Sequence, residues 1–190
     1  MSLSARRVHH SYDEYRRVLE MSTVKLEYSD GEIYAMAGGT PLHAALSARA
    51  ITLLSNSLGA TCTVYSSDLM VRVDASDLST YPDGAVICGT LESSATDKHA
   101  ATNPVILVEV TSKSTEDYDR GDKLSHYKQL ASLRAVLLLS HRSRTVTVVR
   151  REASGWSQRD YRSGELIELE LPPLQLSVDA LYAGLTLDPA

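Results

Sequence analysis

Phenylalanine is absent from this 190-residue chain, which carries ten tyrosines instead. Composition alone offers no physical reason for that exchange. Cysteine is scarce: Cys62 and Cys88 are the only two, in no ligand or redox spacing. Two cysteines in a chain this long argue for a reducing cytosol and against a disulfide framework, so a cytoplasmic protein is expected. The six histidines and two cysteines show no zinc-ligand spacing. No apolar run approaches the roughly 18 residues of a membrane-spanning helix. Residues 1–10 are polar and basic with no apolar centre, which excludes a secretory signal there. A G-x-S-x-G elbow is missing, so a serine hydrolase built on His43 or His141 has little support. Gly38-Gly39 precede a helix start but lack the spacing and lysine of a P-loop.

Present is an ordinary globular composition, 43% hydrophobic and 23% charged. It fits one domain over residues 11–185, with residues 1–10 as a flexible lead-in. The net charge of −5 argues mildly against nucleic acid. The charge is uneven, however. Between His141 and Arg162 six arginines (142, 144, 150, 151, 159, 162) face only Glu152 and Asp160. That stretch is either a nucleic-acid surface or a solvated strand face.

Ser11 with Glu14 makes a capping box for a helix to about Met21. Residues 25–28 and 32–36 read as a hairpin turning at Asp30-Gly31. Thr40 caps and Pro41 opens a helix to about Leu58, ended by Gly59, with Leu42, Leu46, Ala50, Leu53 and Leu54 as its buried stripe. Strands are expected at 62–66, 69–73 and 85–88, with 74–80 a polar loop and 89–102 an exposed one. Ser114 or Thr115 caps a helix to about Ala131. Strands at 136–140 and 145–149 follow, then hairpins around 156–161 and 166–171. Pro172-Pro173 stops the sheet before a closing helix at 178–183. The strand at 136 should run parallel to the one before the helix.

The chain is organised around residues 81–123. Tyr81-Pro82-Asp83 leads into one apolar run. Asn103-Pro104 starts another, Val105 to Val110, whose apolar β-branched and leucine residues read as a strand buried on both faces. Glu109 interrupts it. A carboxylate there requires a partner or a metal. Two carboxylates about 4 Å apart repel by about 4 kcal/mol at an effective dielectric near 20. A hard divalent cation, Mg²⁺ or Mn²⁺, between Asp83 and Glu109 reverses that penalty.

Pro82-Asp83 followed by Glu109-Val110-Thr111 resembles the PD-(D/E)XK nuclease signature, with threonine where the signature has lysine. A longer ordered set is similar to one branch of that superfamily, the Uma-two family. It comprises Tyr12 to Tyr15, Glu27-Tyr28 with Asp30 to Glu32, Met36, Gly38 to Thr40 and His43. It continues through Pro82-Asp83, Val108 to Ser112, Ser114-Thr115, Asp119, Lys123 and Tyr127. The resemblance spans roughly residues 10–185. It implies an α/β restriction-endonuclease-like mixed sheet flanked by helices, with added antiparallel hairpins. The implied activity is metal-dependent endonucleolytic cleavage of nucleic acid, with DNA the expected substrate. Asp83, Glu109 and the Val110 carbonyl would hold the metal.

The missing lysine at 111 leaves Lys123 as candidate and Lys113 as rival. Lys123 shares a helix face with Asp119 and Tyr127 at i, i+4 spacing, so a plain salt bridge with Asp119 is the competing reading. Glu27 reads from the residues as a solvent-facing strand carboxylate and from the resemblance as an outer acid of the site. His43, in a first helical turn where a cation is disfavoured, is implied to face the cleft. Thr111 also keeps open a catalytically inactive nucleic-acid- or protein-binding module. Cutting two strands needs two sites, which a symmetric homodimer would supply.

Overall fold

The computed structural model describes residues 9–36, 38–111 and 121–187. Its centre is the strand β8 (Ile106–Val110), buried along its whole length. The alternation of that strand sorts the core. Ile106, Val108 and Val110 point into one apolar cluster and Leu107 into another. Glu109, by the same period of two, belongs to the Leu107 side.

Beside β8 lie β9 (Ala135–Leu139), parallel to it, and β6 (Gly84–Cys88), antiparallel. With β3 (Cys62–Ser66), β10 (Thr145–Glu152) and β11 (Gly155–Arg162) they form a six-stranded mixed sheet, ordered β11-β10-β9-β8-β6-β3. One face is covered by α2 (Pro41–Ser57), α4 (Val178–Tyr182) and the ribbon β12 (Leu166–Glu170) with β13 (Pro173–Ser177). The other face packs on α3 (Asp122–Tyr127) and on a second, five-stranded sheet. That sheet is built from β1 (Leu26–Ser29), β2 (Glu32–Ala35), β4 (Met70–Val73), β5 (Leu78–Thr80) and β7 (Ala100–Ala101). The helix α1 (Tyr12–Met21) closes it through Tyr15, which packs with Leu26 and Tyr28. This is the mixed α/β architecture expected from the sequence. Tyrosine takes the place of phenylalanine in the core: Tyr15, Tyr28, Tyr127 and Tyr182 are its largest fully buried side chains.

Local chemistry explains the ends of these elements. Both halves of the Ser11–Glu14 capping box form. Thr40 Oγ1 accepts the His43 amide at 3.2 Å, and Pro41 opens α2. The β1–β2 turn uses Asp30 and Gly31 at φ of 44° and 86°.

Several expectations are corrected. Residues 74–80 are not a polar loop: after a 3₁₀ turn at Asp74–Ser76 they form the buried strand β5. Its Ser79 and Thr80 are hidden because Arg72 and Glu27 bond them. The 89–102 loop contains β7, which pairs with β4 and is buried. Gly59 is no left-handed cap, since α2 ends on an extended Leu58. Pro173 does not stop the sheet but begins β13, an edge position that needs no amide donor there. The described part of α3 ends at Tyr127, before Ala131.

The expectation of two free thiols is also overturned. Cys62 and Cys88 are directly opposed in the β3–β6 ladder and form a disulfide. A strand register, invisible in a spacing of 26, brings them together, and the cysteine argument for a reducing cytosol lapses with it. No helix among the described residues is long and apolar enough to cross a membrane.

Two outcomes are expected. Replacing both cysteines by alanine should lower stability by about 3.5 kcal/mol, the loop-closure value for a link of this length, with unchanged far-UV circular dichroism; denaturant melts read it. Burial also holds tyrosine hydroxyls protonated: Tyr12 is pushed up to about 12, and Tyr15 and Tyr182 higher still. A raised folded pKa means that the unfolded chain loses protons first. The stabilisation is therefore complete below pH about 10 and falls as pH rises above it. Spectrophotometric titration should show these tyrosines ionising together with unfolding, not before it.

Candidate functional site

Glu109 sits near the C-terminal end of β8, 4% exposed. An ionised carboxylate there must be compensated, and α3 supplies two partners from one face. Lys123 and Tyr127 are four apart. Lys123 Nζ lies 2.9 Å from Glu109 Oε1, and the Tyr127 hydroxyl donates to the same oxygen at 2.5 Å. Tyr127 is buried, and that burial, with the Glu109 charge next to it, raises its pKa well above the usual tyrosine range. It therefore stays a donor. Lys123 is itself 5% exposed and reaches a second carboxylate, Glu27 on β1, at 3.8 Å. Glu27 Oε1 also accepts the Thr80 hydroxyl and, at 3.3 Å, the Tyr81 amide. The reading of Glu27 as a solvent-facing strand residue does not hold: its side chain is 13% exposed and belongs to this cluster.

Asp83 precedes β6. The β6–β8 register pairs Gly84 with Val108, which brings Asp83 beside the Glu109–Val110 end of the strand. Its Oδ2 accepts the Val110 amide at 2.7 Å. His43, from the first turn of α2 on the opposite face, places Nε2 3.1 Å from the same oxygen. A glycine at 39 makes room for that imidazole, since a Cβ there would stand 2.6 Å from His43 Nδ1. Thr111, in the position where the nuclease signature has lysine, is fully buried and turned toward β9, its hydroxyl 3.3 Å from the Leu139 carbonyl.

The five side chains singled out in the sequence fall into two groups at one end of the central sheet: Glu27, Lys123 and Glu109 are linked to one another, and His43 pairs with Asp83, which accepts from the Val110 amide next to Glu109. Lys113 and Asp119 lie outside the described residues. Thr80 and the Val110 amide escaped the sequence reading. Thr80 stood in a presumed loop, and a backbone donor leaves no mark in a sequence.

The donor chemistry suits a hard divalent cation, which binds carboxylate oxygens. Among the described residues no three histidine, cysteine or acidic side chains converge as a preformed cage. Mg²⁺ does not require one, because it keeps several waters and takes one or two carboxylates plus substrate phosphate. Asp83 and Glu109 supply two carboxylates next to one another along the β8 ladder, Asp83 on the Val110 amide and Glu109 one residue before it.

The arginine-rich strands divide in two. Arg151 donates to the carbonyls of Lys128, Leu130 and Leu133 and lies over Trp156. Arg150 bonds Tyr161 and Glu168, and Arg159 pairs with Glu165. Arg150 and Arg151 brace the fold, whereas Arg159 sits in an exposed surface pair. They do not form the continuous basic face that composition allowed. Arg150 and Arg151, with Arg134, line a cavity of about 520 Å³ at the other end of β9 and β10, away from Glu109.

Acidic side chains gathered at a strand end of a mixed, helix-flanked sheet, with a lysine against them, define the restriction-endonuclease-like class. The comparisons with known proteins agree. The profile of the Uma-two family, described as "Putative restriction endonuclease", matches residues 12–181, and the chain belongs to that family. Two uncharacterized proteins of Synechocystis sp. are similar to it. One is 36% identical over 92% of both chains; the other is 30% identical over 66% of this chain and 72% of its own. A crystal structure from Anabaena variabilis, titled as a putative nuclease belonging to DUF820, has the same fold. Its TM-score is 0.74 at 17% identity, over 90% of this chain and 96% of that one.

The buried Glu109–Lys123 pair yields a stability prediction. Lys123→Ala removes the cation that faces buried Glu109 and should cost about 3–5 kcal/mol. Adding Glu109→Gln should recover part of that loss, because the charge left behind is gone. Urea denaturation of the two single variants and the double variant reads the coupling. Additive losses would mean the pair does not interact.

Proposed function

We propose that this protein is a Mg²⁺- or Mn²⁺-dependent endonuclease that hydrolyses phosphodiester bonds of nucleic acid, with DNA as substrate. The observation that carries the reading is the 2.9 Å approach of Lys123 Nζ to Glu109 beside Asp83. In this reading Lys123, on the adjoining helix, takes the part of the superfamily lysine missing from its strand position. That placement weighs against the inactive binding module, whose main support was Thr111.

In this reading Asp83 and Glu109 would hold the ion, with help from the Val110 carbonyl. Such an ion supplies Lewis-acid activation of water and neutralises phosphate charge. Lys123 orients the attacking water or stabilises the phosphate oxygens. Glu27 holds Lys123 from the far side, and His43 fixes the rotamer of Asp83 at the cleft wall. A homodimer would present two such sites to the two strands of a duplex, and the cytoplasm is the proposed compartment.

The test needs no knowledge of a preferred sequence. Calorimetric titration of Mn²⁺ should show saturable binding that the Asp83→Ala, Glu109→Ala double variant loses. Plasmid DNA should be cut with Mg²⁺ or Mn²⁺ and not with chelator present. Lys123→Arg keeps the buried charge but not its geometry, and should lower cleavage by about 100-fold or more while retaining most of the stability. Absence of both metal binding and cleavage in the folded wild type would sink the proposal.

A further inference from the structure

The cavity at the far end of β9 and β10 takes no part in the chemistry above. Its volume of about 520 Å³ lies in the usual range of small-ligand pockets. Arg134, on its wall, donates its amide to the Val105 carbonyl at 2.8 Å. The cavity therefore lies level with Val105, four residues before Glu109 and about 13 Å from it along a strand.

Positive charge gathers here without compensation. The β9–β10 register pairs Ala135 with Arg150, and the Arg151 amide donates to the Arg134 carbonyl at 2.8 Å. Arg134 and Arg151 thus stand opposite each other, an arrangement of like charges that destabilises a strand pair. Arg151 is held by three carbonyls and contributes a fixed charge. Arg150 is tied through Nη2 alone, to the Tyr161 hydroxyl at 2.9 Å and the Glu168 carbonyl at 3.1 Å. Its Nε and Nη1 have no partner among the described residues. Arg134 is exposed, and its guanidinium makes no hydrogen bond or ion pair with any described residue.

The remaining lining is of two kinds. Leu169 and Leu171 supply apolar surface, and Leu171 is 66% exposed, a large hydrophobic side chain left to water. Glu152 and Glu170 are exposed and pair with none of the three arginines. Carboxylates only accept hydrogen bonds. They repel a bare anion but bind a molecule whose other end carries N–H groups.

We propose that this cavity binds a mononucleotide, with the phosphate on Arg134 and Arg150, the base against Leu169 and Leu171, and base N–H groups on Glu152 or Glu170. One molecule then meets all three demands of the lining. Guanidinium groups match phosphate oxygens in shape and charge. The tie at Nη2 holds Arg150 in place beforehand, which reduces the ordering cost of binding. The base covers the exposed leucine. The site is separate from the Glu109 cluster and does not rest on the nuclease reading.

The test is calorimetric titration of the full chain with adenosine 5′-monophosphate, in buffer stripped of divalent metal so that the carboxylate cluster adds no metal-bridged binding. Saturable binding is expected at millimolar concentration or below, and it should weaken as salt rises. Arg134→Ala, at an exposed position, should weaken it by about tenfold or more, the worth of a charge-assisted hydrogen bond. Leu171→Ser should weaken it by about threefold through lost apolar contact and leave ribose 5-phosphate binding unchanged. Arg144→Ala removes the same charge at the other end of the β9–β10 pair and should change nothing. Absence of saturable binding by the wild type overturns the proposal, as do equal losses from Arg134→Ala and Arg144→Ala. Adenosine binding as tightly as its monophosphate overturns the phosphate seat. Ribose 5-phosphate binding as tightly overturns the base seat.

Discussion

A carboxylate sits inside the most buried strand of the protein, and much of the site follows from how its charge is compensated. Glu109 has apolar neighbours on either side in β8. A lone charge there would cost several kcal/mol even after relaxation. Lys123 and Tyr127 meet that cost together, and their i, i+4 spacing on α3 requires the helix to lie over this end of the sheet. Glu27 then closes the far side of Lys123 and draws β1, and with it the second sheet, into the site. A hydrophobic residue at 109 would pack more cheaply. A buried charged cluster retained at such cost, at the open end of a sheet, is the arrangement a reactive site requires.

The site also depends on where two packing faces meet. β8 is covered by α2 on one side and by α3 on the other. Midway along the strand those layers are separated by the sheet. At its end, Asp83 accepts from the β8 backbone and contacts His43 from α2, while Glu109 contacts Lys123 from α3. Groups from the two faces of the sheet thus approach successive residues of β8, Glu109 and Val110. The disulfide pins β3 to β6, the strand that follows Asp83.

Much of this was legible in the chain. Strong local signals read correctly: the Ser11–Glu14 box, the Asp30-Gly31 turn, the Thr40-Pro41 start, and the two-faced burial of residues 106–110 and 135–139. Misreadings fell where tertiary partners override local character. Residues 78–80 look polar, but Arg72 and Glu27 supply bonds that let Ser79 and Thr80 be buried. Pro173 looks like a terminator, yet an edge strand tolerates it. The arginine-rich stretch looks like one surface. In the fold Arg151 satisfies three carbonyls, while Arg142 lies at the other end of the same strands.

By itself the sequence determined the class of fold and singled out Asp83, Glu109 and Lys123 as candidates, because hydrophobic periodicity, caps and an ordered set of polar residues are local properties. Tertiary structure alone decided which groups touch. Strand register opposed Cys62 to Cys88, helix placement put Lys123 on Glu109 and Glu27, and the β9–β10 turn joined Arg142 and His141 to Thr111. The physical reason is that a contact depends on register and packing angle. These are set by the whole core at once, and no single stretch of the chain carries them.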